Sequence, residues 1–330
     1  MRKIQLCGIG NALVDVVIHV TDSELKALGL ENEKGTMRLI STSEQELLLQ
    51  KLSSHKKITD AGGSVANSTF LFASLGGTAG FFCSTGEDEY GDYYRKEFEK
   101  ASVNFLSPIN NQGATGICVS IISEDAERTM RTSLGLSAEF GPKHINKEVL
   151  NQTEWLFSEG FVMLNSDVGR DACFDAIETA KSVGTKVAIT CSEPIVISIL
   201  GDAFRNAAFN ADLVFANEEE AQALSSTTSL EQAKKFLFEK IPNVVITAGE
   251  KGAFFKFNGT EGHAPAISSK LVDLTGAGDA FAGAFLWGIT NGHSPMEAAT
   301  IGNFFAHKII TENGARLKGD AKALLREFLR

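Results

Sequence analysis

The residues best placed to do chemistry are Asp273-Leu274-Thr275-Gly276-Ala277-Gly278-Asp279-Ala280-Phe281. Two glycines around an alanine keep bulky side chains off the backbone, so consecutive N–H groups can converge on one point. Beyond them Phe281, Ala284, Phe285, Gly288 and Ile289 recur on one apolar helical face. Gly276, Ala277 and Gly278 then fall at a helix N-terminus, where unpartnered amides and the helix dipole favour an anion. Asp279, in the first turn, stands beside that anion hole. A carboxylate there can take the proton of a hydroxyl attacking a phosphoryl group. The plainer reading is a tight turn followed by an Asp that caps the helix.

The elements that must position these groups alternate in type. Apolar runs at Lys3–Ile9, Ala79–Cys83, Trp155–Ser158, Lys186–Cys191, Leu213–Ala216 and Val244–Thr247 read as buried strands. Amphipathic segments at Ser64–Leu75, Tyr90–Ala101, Arg170–Val183 and Leu230–Ile241 read as helices. This order predicts an α/β fold: a mostly parallel central sheet with helices on both faces. Val14–Val20, Thr36–Ile40, Ala114–Ile122 and Arg128–Thr132 alternate instead, and Ser120–Thr132 reads as a hairpin about the polar turn Ser123-Glu124-Asp125-Ala126. Together they predict a small, partly exposed sheet drawn from residues 12–42 and 112–134, inserted in the core and able to act as a lid. With no Pro- or Ser-rich linker, repeat or low-complexity tract, a single domain over residues 1–330 is expected.

Composition narrows the partners. Of 330 residues 43% are apolar and 22% charged, which suits an ordinary globular protein. A formal charge of -10 argues against nucleic acid, whose phosphates demand clustered Lys and Arg; an anionic ligand in a local pocket remains allowed. Cys7, Cys83, Cys118, Cys173 and Cys191 form no CxxC pair and are odd in number, which suits a reducing compartment. Residues up to Gly10 offer no cleavage site, and no apolar run approaches the length of a membrane span. A soluble, cytoplasmic protein without a membrane partner is expected.

The Asp273–Asp279 segment closely resembles the C-terminal signature of the ribokinase/PfkB carbohydrate-kinase family, usually DTxGAGD, with Leu274 at the second position. Gly62-Gly63-Ser64-Val65-Ala66-Asn67 resembles its second motif, two glycines followed by an asparagine. The resemblance extends over essentially the whole chain and implies a ribokinase-like fold. It also implies roles. Gly62 and Gly63 would let an acceptor approach the backbone, and Asn67 would both donate to and accept from its hydroxyls. Gly10-Asn11-Ala12-Leu13-Val14-Asp15 is similar to the family's acceptor-binding start, which assigns Asn11 and Asp15 to the acceptor; a solvated strand Asp is the alternative. Asn217-Glu218-Glu219-Glu220 resembles the NxxE motif. Asn217 and Glu220 would then order the water shell of Mg2+ beside the phosphates of ATP, although an acidic helix start explains them equally. Thr247-Ala248-Gly249, with Gly252, looks like the nucleotide-contacting turn, and Asn303 and Ala306 would line the adenine pocket or form a plain helix face. An arginine at the place of Arg128 reaches the transferring phosphate in adenosine kinases; an exposed strand Arg is the alternative. Asp273, Thr275 and Gly314 match positions that build a monovalent-cation site, K+ for instance, in some members.

The resemblance implies in-line transfer of the γ-phosphate of ATP, with Mg2+, to a primary hydroxyl. The start at Gly10, the stretch Glu127–Met130 and the ending Gly314-Ala315-Arg316 look more like the adenosine-kinase branch than like ribokinase itself. Ala12 stands where eukaryotic adenosine kinases have Pro. An adenosine-like nucleoside is the expected acceptor. Ribose, fructose or a keto-deoxy sugar acid is the alternative, and a non-catalytic nucleoside- or sugar-binding regulator is the alternative of another class. A nicotinamide enzyme built on Gly8-Ile9-Gly10 is a poor fit, because Leu13 stands where the third glycine belongs. No Walker A sequence is present. Monomer and homodimer are both open, since the lid sheet has edge strands a second copy could cover.

Overall fold

Continuous apolar strands need cover on both faces, and the fold supplies it. The structure is a computed structural model, described over residues 3–110, 112–125, 127–268 and 270–330. Its strands are β1 (Ile4–Ile9), β2 (Leu13–His19), β3 (Met37–Leu39), β4 (Lys57–Gly62), β5 (Ala79–Phe82), β6 (Val103–Phe105), β7 (Gly116–Ile122), β8 (Arg128–Ser133), β9 (Thr153–Glu159), β10 (Lys186–Thr190), β11 (Leu213–Asn217), β12 (Val244–Thr247), β13 (Ala253–Phe257) and β14 (Thr260–Ala264). They form a nine-stranded sheet in the order β14-β13-β12-β11-β10-β9-β1-β5-β6 and a five-stranded sheet in the order β3-β8-β7-β2-β4. The large sheet is parallel except for the hairpin β13–β14, absent from the sequence reading, which turns on Asn258-Gly259.

Successive side chains of its strands enter different cores. Leu6, Phe81, Phe157, Phe215 and Val245 pack with Phe72, Phe98, Phe281 and Phe285 from helices Ser64–Ser74, Glu89–Lys100 and Ala277–Thr290. Cys7, Phe82, Leu156, Val214 and Ile246 pack with Cys173, Ile177, Phe204 and Leu237 from helices on the opposite face. The C-terminal ends of β1, β9 and β11 therefore open at one edge of a rigid layer, where parallel sheets place their sites.

The second sheet alternates as expected. Val14, Val16, Ile18, Val119 and Ile121 are buried on one face. Asp15, Val17, Cys118, Asp60, Ile58, Arg128 and Met130 share the other by strand register. It extends beyond residues 12–42 and 112–134, because β4 pairs antiparallel with β2 at its edge. Lys57–Gly62 carries one large apolar side chain, the exposed Ile58, so hydrophobic periodicity could not reveal it. The Ser123 amide donates to the Glu127 carbonyl at 3.1 Å across the hairpin; Ala126 of that turn lies outside the described residues, as do Met1 and Arg2.

Helices Ser64–Ser74 and Ala277–Thr290 touch at backbone distance. A Cβ added to Gly283 would stand 2.3 Å from the Ser68 carbonyl oxygen, so any larger residue must part the two helices. Gly283→Ala is expected to cost about 1–3 kcal/mol. A melting temperature lowered by roughly 2–4 °C per kcal/mol would show it, whereas an unchanged one would mean the helices separate freely.

Candidate active site

Asp279 lies in the first turn of helix Ala277–Thr290, whose N-cap Gly276 adopts φ +80°. Glycine is required there twice: the φ is left-handed, and a Cβ would stand 2.5 Å from the Ala315 carbonyl oxygen. The Ala277 amide donates to the Leu274 carbonyl at 3.3 Å, closing the turn. The Gly278 and Asp279 amides, in the first turn, have no intrahelical carbonyl to bind. A Cβ at Gly278 would meet nothing within 4 Å. These groups line a cavity of about 210 Å³ with Ser64, Asn217, Glu220 and Thr247.

The Asp279 carboxylate is tied to the start of helix Ser64–Ser74. Ser64 Oγ donates to Oδ1 at 2.6 Å and Asn67 Nδ2 to Oδ2 at 2.9 Å, while Ser68 Oγ donates to the Asp279 carbonyl at 2.8 Å. Burial pushes its carboxyl up to about 6, against the two side-chain hydrogen bonds and the charge of Arg316. Asn67 is thus a partner of Asp279, and its carbonyl oxygen accepts from Arg316 Nε at 3.0 Å.

Beside it, the acceptor residues of the sequence reading converge. Asp15 sits on β2 opposite Asp60 of β4. Burial pushes Asp15 up to about 6, with Arg316 and Arg128 opposing and Asp60 adding to the rise. A Cβ on Gly62 would lie 2.4 Å from Asp15 Oδ2, and one on Gly63, at φ +101°, would lie 2.2 Å from the Asn11 carbonyl oxygen. The paired glycines therefore make room for the chain's own acid and loop. Asn11 is buried; its Oδ1 accepts from Asn165 Nδ2 at 2.6 Å.

On the opposite side Asn217 and Glu220 form a reciprocal cap. Asn217 Oδ1 accepts from the Glu220 amide at 2.9 Å; Glu220 Oε2 accepts from the Asn217 amide at 2.9 Å and Oε1 from Asn217 Nδ2 at 2.8 Å. Burial pushes Glu220 up to about 7, the Asn217 hydrogen bond working against it and Asp279, Glu193 and Glu219 adding to it. Each oxygen keeps a lone pair for a water molecule, so the pair fits water-mediated contact with Mg2+.

Other assignments are only partly gathered in. Thr247 lines the cavity and Gly249, at φ +53°, follows it. Gly252 instead packs on backbone, since a Cβ there would lie 2.2 Å from the Ala264 carbonyl oxygen. Asn303 Nδ2 donates to the carbonyls of Ala264 and Pro265, both at 2.9 Å, and Ala306 packs on the main core. Asn303 thus pins the segment after β14. Thr275 and Gly314 do meet Asp273, but as donors to its carboxylate. Oδ1 accepts from the Thr275 amide at 3.0 Å and hydroxyl at 2.7 Å, and Oδ2 from the Gly314 amide at 3.1 Å. Arg128 Nη2 stands 3.5 Å from Oδ2. Although partial burial raises it, these bonds and that charge hold Asp273 below the usual carboxylate range. The carboxylate is already satisfied by donors and a guanidinium, which leaves the monovalent-cation assignment without support.

Two groups were not foreseen. Glu159, which ends β9, is fully buried; Oε1 accepts from the Asn11 amide at 2.8 Å and Oε2 from the Val65 amide at 2.9 Å. An acid closing an apolar strand before Gly160 was the available signal. Arg316 had no signal beyond its place after Gly314-Ala315.

A helix start with free amides, a raised carboxyl in its first turn and further buried acids nearby, on a ribokinase-like fold, suit a phosphotransferase with an alcohol acceptor. The comparisons agree. Residues 36–321 match the pfkB family carbohydrate kinase profile, and the chain belongs to that family. It is 28% identical over 328 residues to adenosine kinase of Saccharomyces cerevisiae, covering 94% of this chain and 95% of the relative. To ribokinase of Staphylococcus aureus it is 26% identical, covering 77% and 83%. Adenosine kinase from Sinorhizobium meliloti superposes with a TM-score of 0.86 at 30% identity, and a probable sugar kinase from Rhizobium etli with 0.87 at 27%, each over 99% of both chains. Kinases of this family use ATP and Mg2+. Among the described residues no helix is long and apolar enough to cross a membrane.

With Asp279 and Asp15 both raised to about 6, kcat/KM, which reports the free enzyme, should fall as pH drops through 6 and each carboxylate takes a proton. A profile flat down to pH 5 would show that neither ionised form is needed.

Proposed function

We propose that this chain transfers the γ-phosphate of ATP to a primary hydroxyl of an adenosine-like nucleoside. The observation that carries the reading is the double attachment of Asp279: its amide belongs to the anion-binding helix start, and its carboxylate is bonded to the acceptor-side residues Ser64 and Asn67. One residue therefore links the place for a phosphoryl group with the place for an attacking hydroxyl. Asp279 takes the hydroxyl proton, the Gly278 and Asp279 amides stabilise negative charge on the phosphoryl oxygens, and Asp15 orients the acceptor. Asn217 and Glu220 would hold Mg2+ through water, and the ion would supply charge neutralisation at the phosphates.

Residues 1–330 act as one domain in which the five-stranded sheet is a lid, and Arg128 is its contact with the phosphoryl side. The Arg128–Asp273 pair, which joins β8 to the anion-hole loop, supports this. Such a cover excludes water as a competing acceptor.

Near full-length similarity to adenosine kinases supports the nucleoside. So does the lid face beside Asp15, which continues with Val17, Ile58 and Met130 and offers apolar cover for a base. The Asp15–Asp60 pair opposes an anionic acceptor such as a keto-deoxy sugar acid. Five buried, unpaired cysteines support a reducing, cytoplasmic setting.

ADP release with Mg2+ and ATP should be fastest with adenosine among adenosine, inosine, guanosine, ribose, fructose and 2-keto-3-deoxygluconate. Preference for a free sugar would overturn the acceptor and keep the mechanism. Asp279→Asn should lower turnover by roughly 10²–10⁴-fold while ATP affinity stays within a few-fold; turnover near the parent rate would remove Asp279 as the base.

A further inference from the structure

We propose that Arg316 is a positioning residue that aims the Asn67 amide at Asp279, an inference that rests on Asp279 being the base. Arg316 Nε donates to Asn67 Oδ1 at 3.0 Å, and Asn67 Nδ2 donates to Asp279 Oδ2 at 2.9 Å. The first bond decides which end of the amide faces the carboxylate. Turned over, Asn67 would set its carbonyl oxygen against Asp279 and its NH2 group against the guanidinium, two repulsive contacts in place of two bonds.

The surroundings of Arg316 do little else for it. Its guanidinium carbon lies 4.5 Å from the centroid of the Phe70 ring and 5.2 Å from that of Phe98. Nη1 and Nη2 are buried with no hydrogen-bond partner among the described residues. A cation held by two ring faces and one directional bond is expensive to bury. Its field reaches the reacting groups: it opposes the rise of both Asp279 and Asp15. The charged and titratable neighbours are Tyr93, Tyr94 and Glu97 around Arg316, Glu159 and Glu220 around Asp279, and Asp60 and Arg128 around Asp15. The preceding Ala315 carbonyl packs under Gly276, so one short segment supports both the base and the start of the anion hole.

Arg316→Met fills a similar volume between the rings without charge or donor. The expected result is a melting temperature equal to or above the parent's, kcat lowered roughly tenfold to a hundredfold, and the acid limb of kcat/KM displaced to higher pH. Arg316→Lys, which keeps the charge and one donor, should recover part of kcat and return the limb toward the parent position. In an Asn67→Ala background Arg316→Met should have much less effect on kcat than alone, because the two act through one contact. A lower melting temperature with parental kcat and pH profile would assign Arg316 to packing alone and overturn the proposal, as would full additivity with Asn67→Ala. Asp279→Asn separates the two failures. An active Asp279→Asn removes the base assignment, whereas an inactive one beside a fully active Arg316→Met removes only the role of Arg316.

Discussion

Glu159 has no surface in contact with solvent, and its two carboxylate oxygens hold two segments that meet near Asp279. Oε1 takes the Asn11 amide from the chain leaving β1, and Oε2 takes the Val65 amide from the first turn of helix Ser64–Ser74. A carboxylate removed from water needs such donors, and a buried amide left without an acceptor costs about 1–3 kcal/mol. The three groups therefore satisfy one another across residues far apart in sequence. Ser64 and Asn67, which bind Asp279, ride on the helix that Glu159 anchors. The relation of Asn11 and Asp15 to Asp279 is fixed from below by one strand end.

That arrangement gathers Asp15, Glu159, Glu220 and Asp279 at one end of the large sheet, and burial raises all four. Asp279 contributes to the rise of Glu159 and Glu220, as like charges in a poorly hydrated place must. Arg316 and Arg128 oppose the rise at Asp15, and the Ser64 and Asn67 hydrogen bonds together with Arg316 oppose it at Asp279. A site so poised suits proton acceptance near neutral pH better than fully solvated carboxylates would, because a base works best when its pKa lies close to the working pH.

Much of this was legible in the sequence, in proportion to how local the determinant is. The parallel strands announce themselves as uninterrupted apolar runs, and the Asp273–Asp279 signature carries its own turn, helix start and acid. Asn258-Gly259 is an equally local hairpin signal, so β13–β14 was within reach of the same reasoning. β4 was not: Lys57–Gly62 owes its strand to pairing with β2 rather than to any pattern of its own. The contacts of Glu159 with Asn11 and Val65, and of Arg316 with Asn67, join residues 148, 94 and 249 positions apart. No periodicity encodes such pairs; they exist only once the sheet has brought the strand ends together.

The chain's own packing also demands the motif glycines, because a side chain there would need space that the protein itself occupies. At Gly62 that space holds Asp15, at Gly63 the Asn11 carbonyl, at Gly10 the Glu159 carboxylate and at Gly276 the Ala315 carbonyl. Each of these glycines is demanded by another part of the chain. At Gly278 nothing stands within 4 Å of the added carbon, so that position faces open cavity. The motif glycines are thus mainly a packing constraint that lets acids and loops approach one another closely. The first turn of helix Ala277–Thr290 lines that cavity.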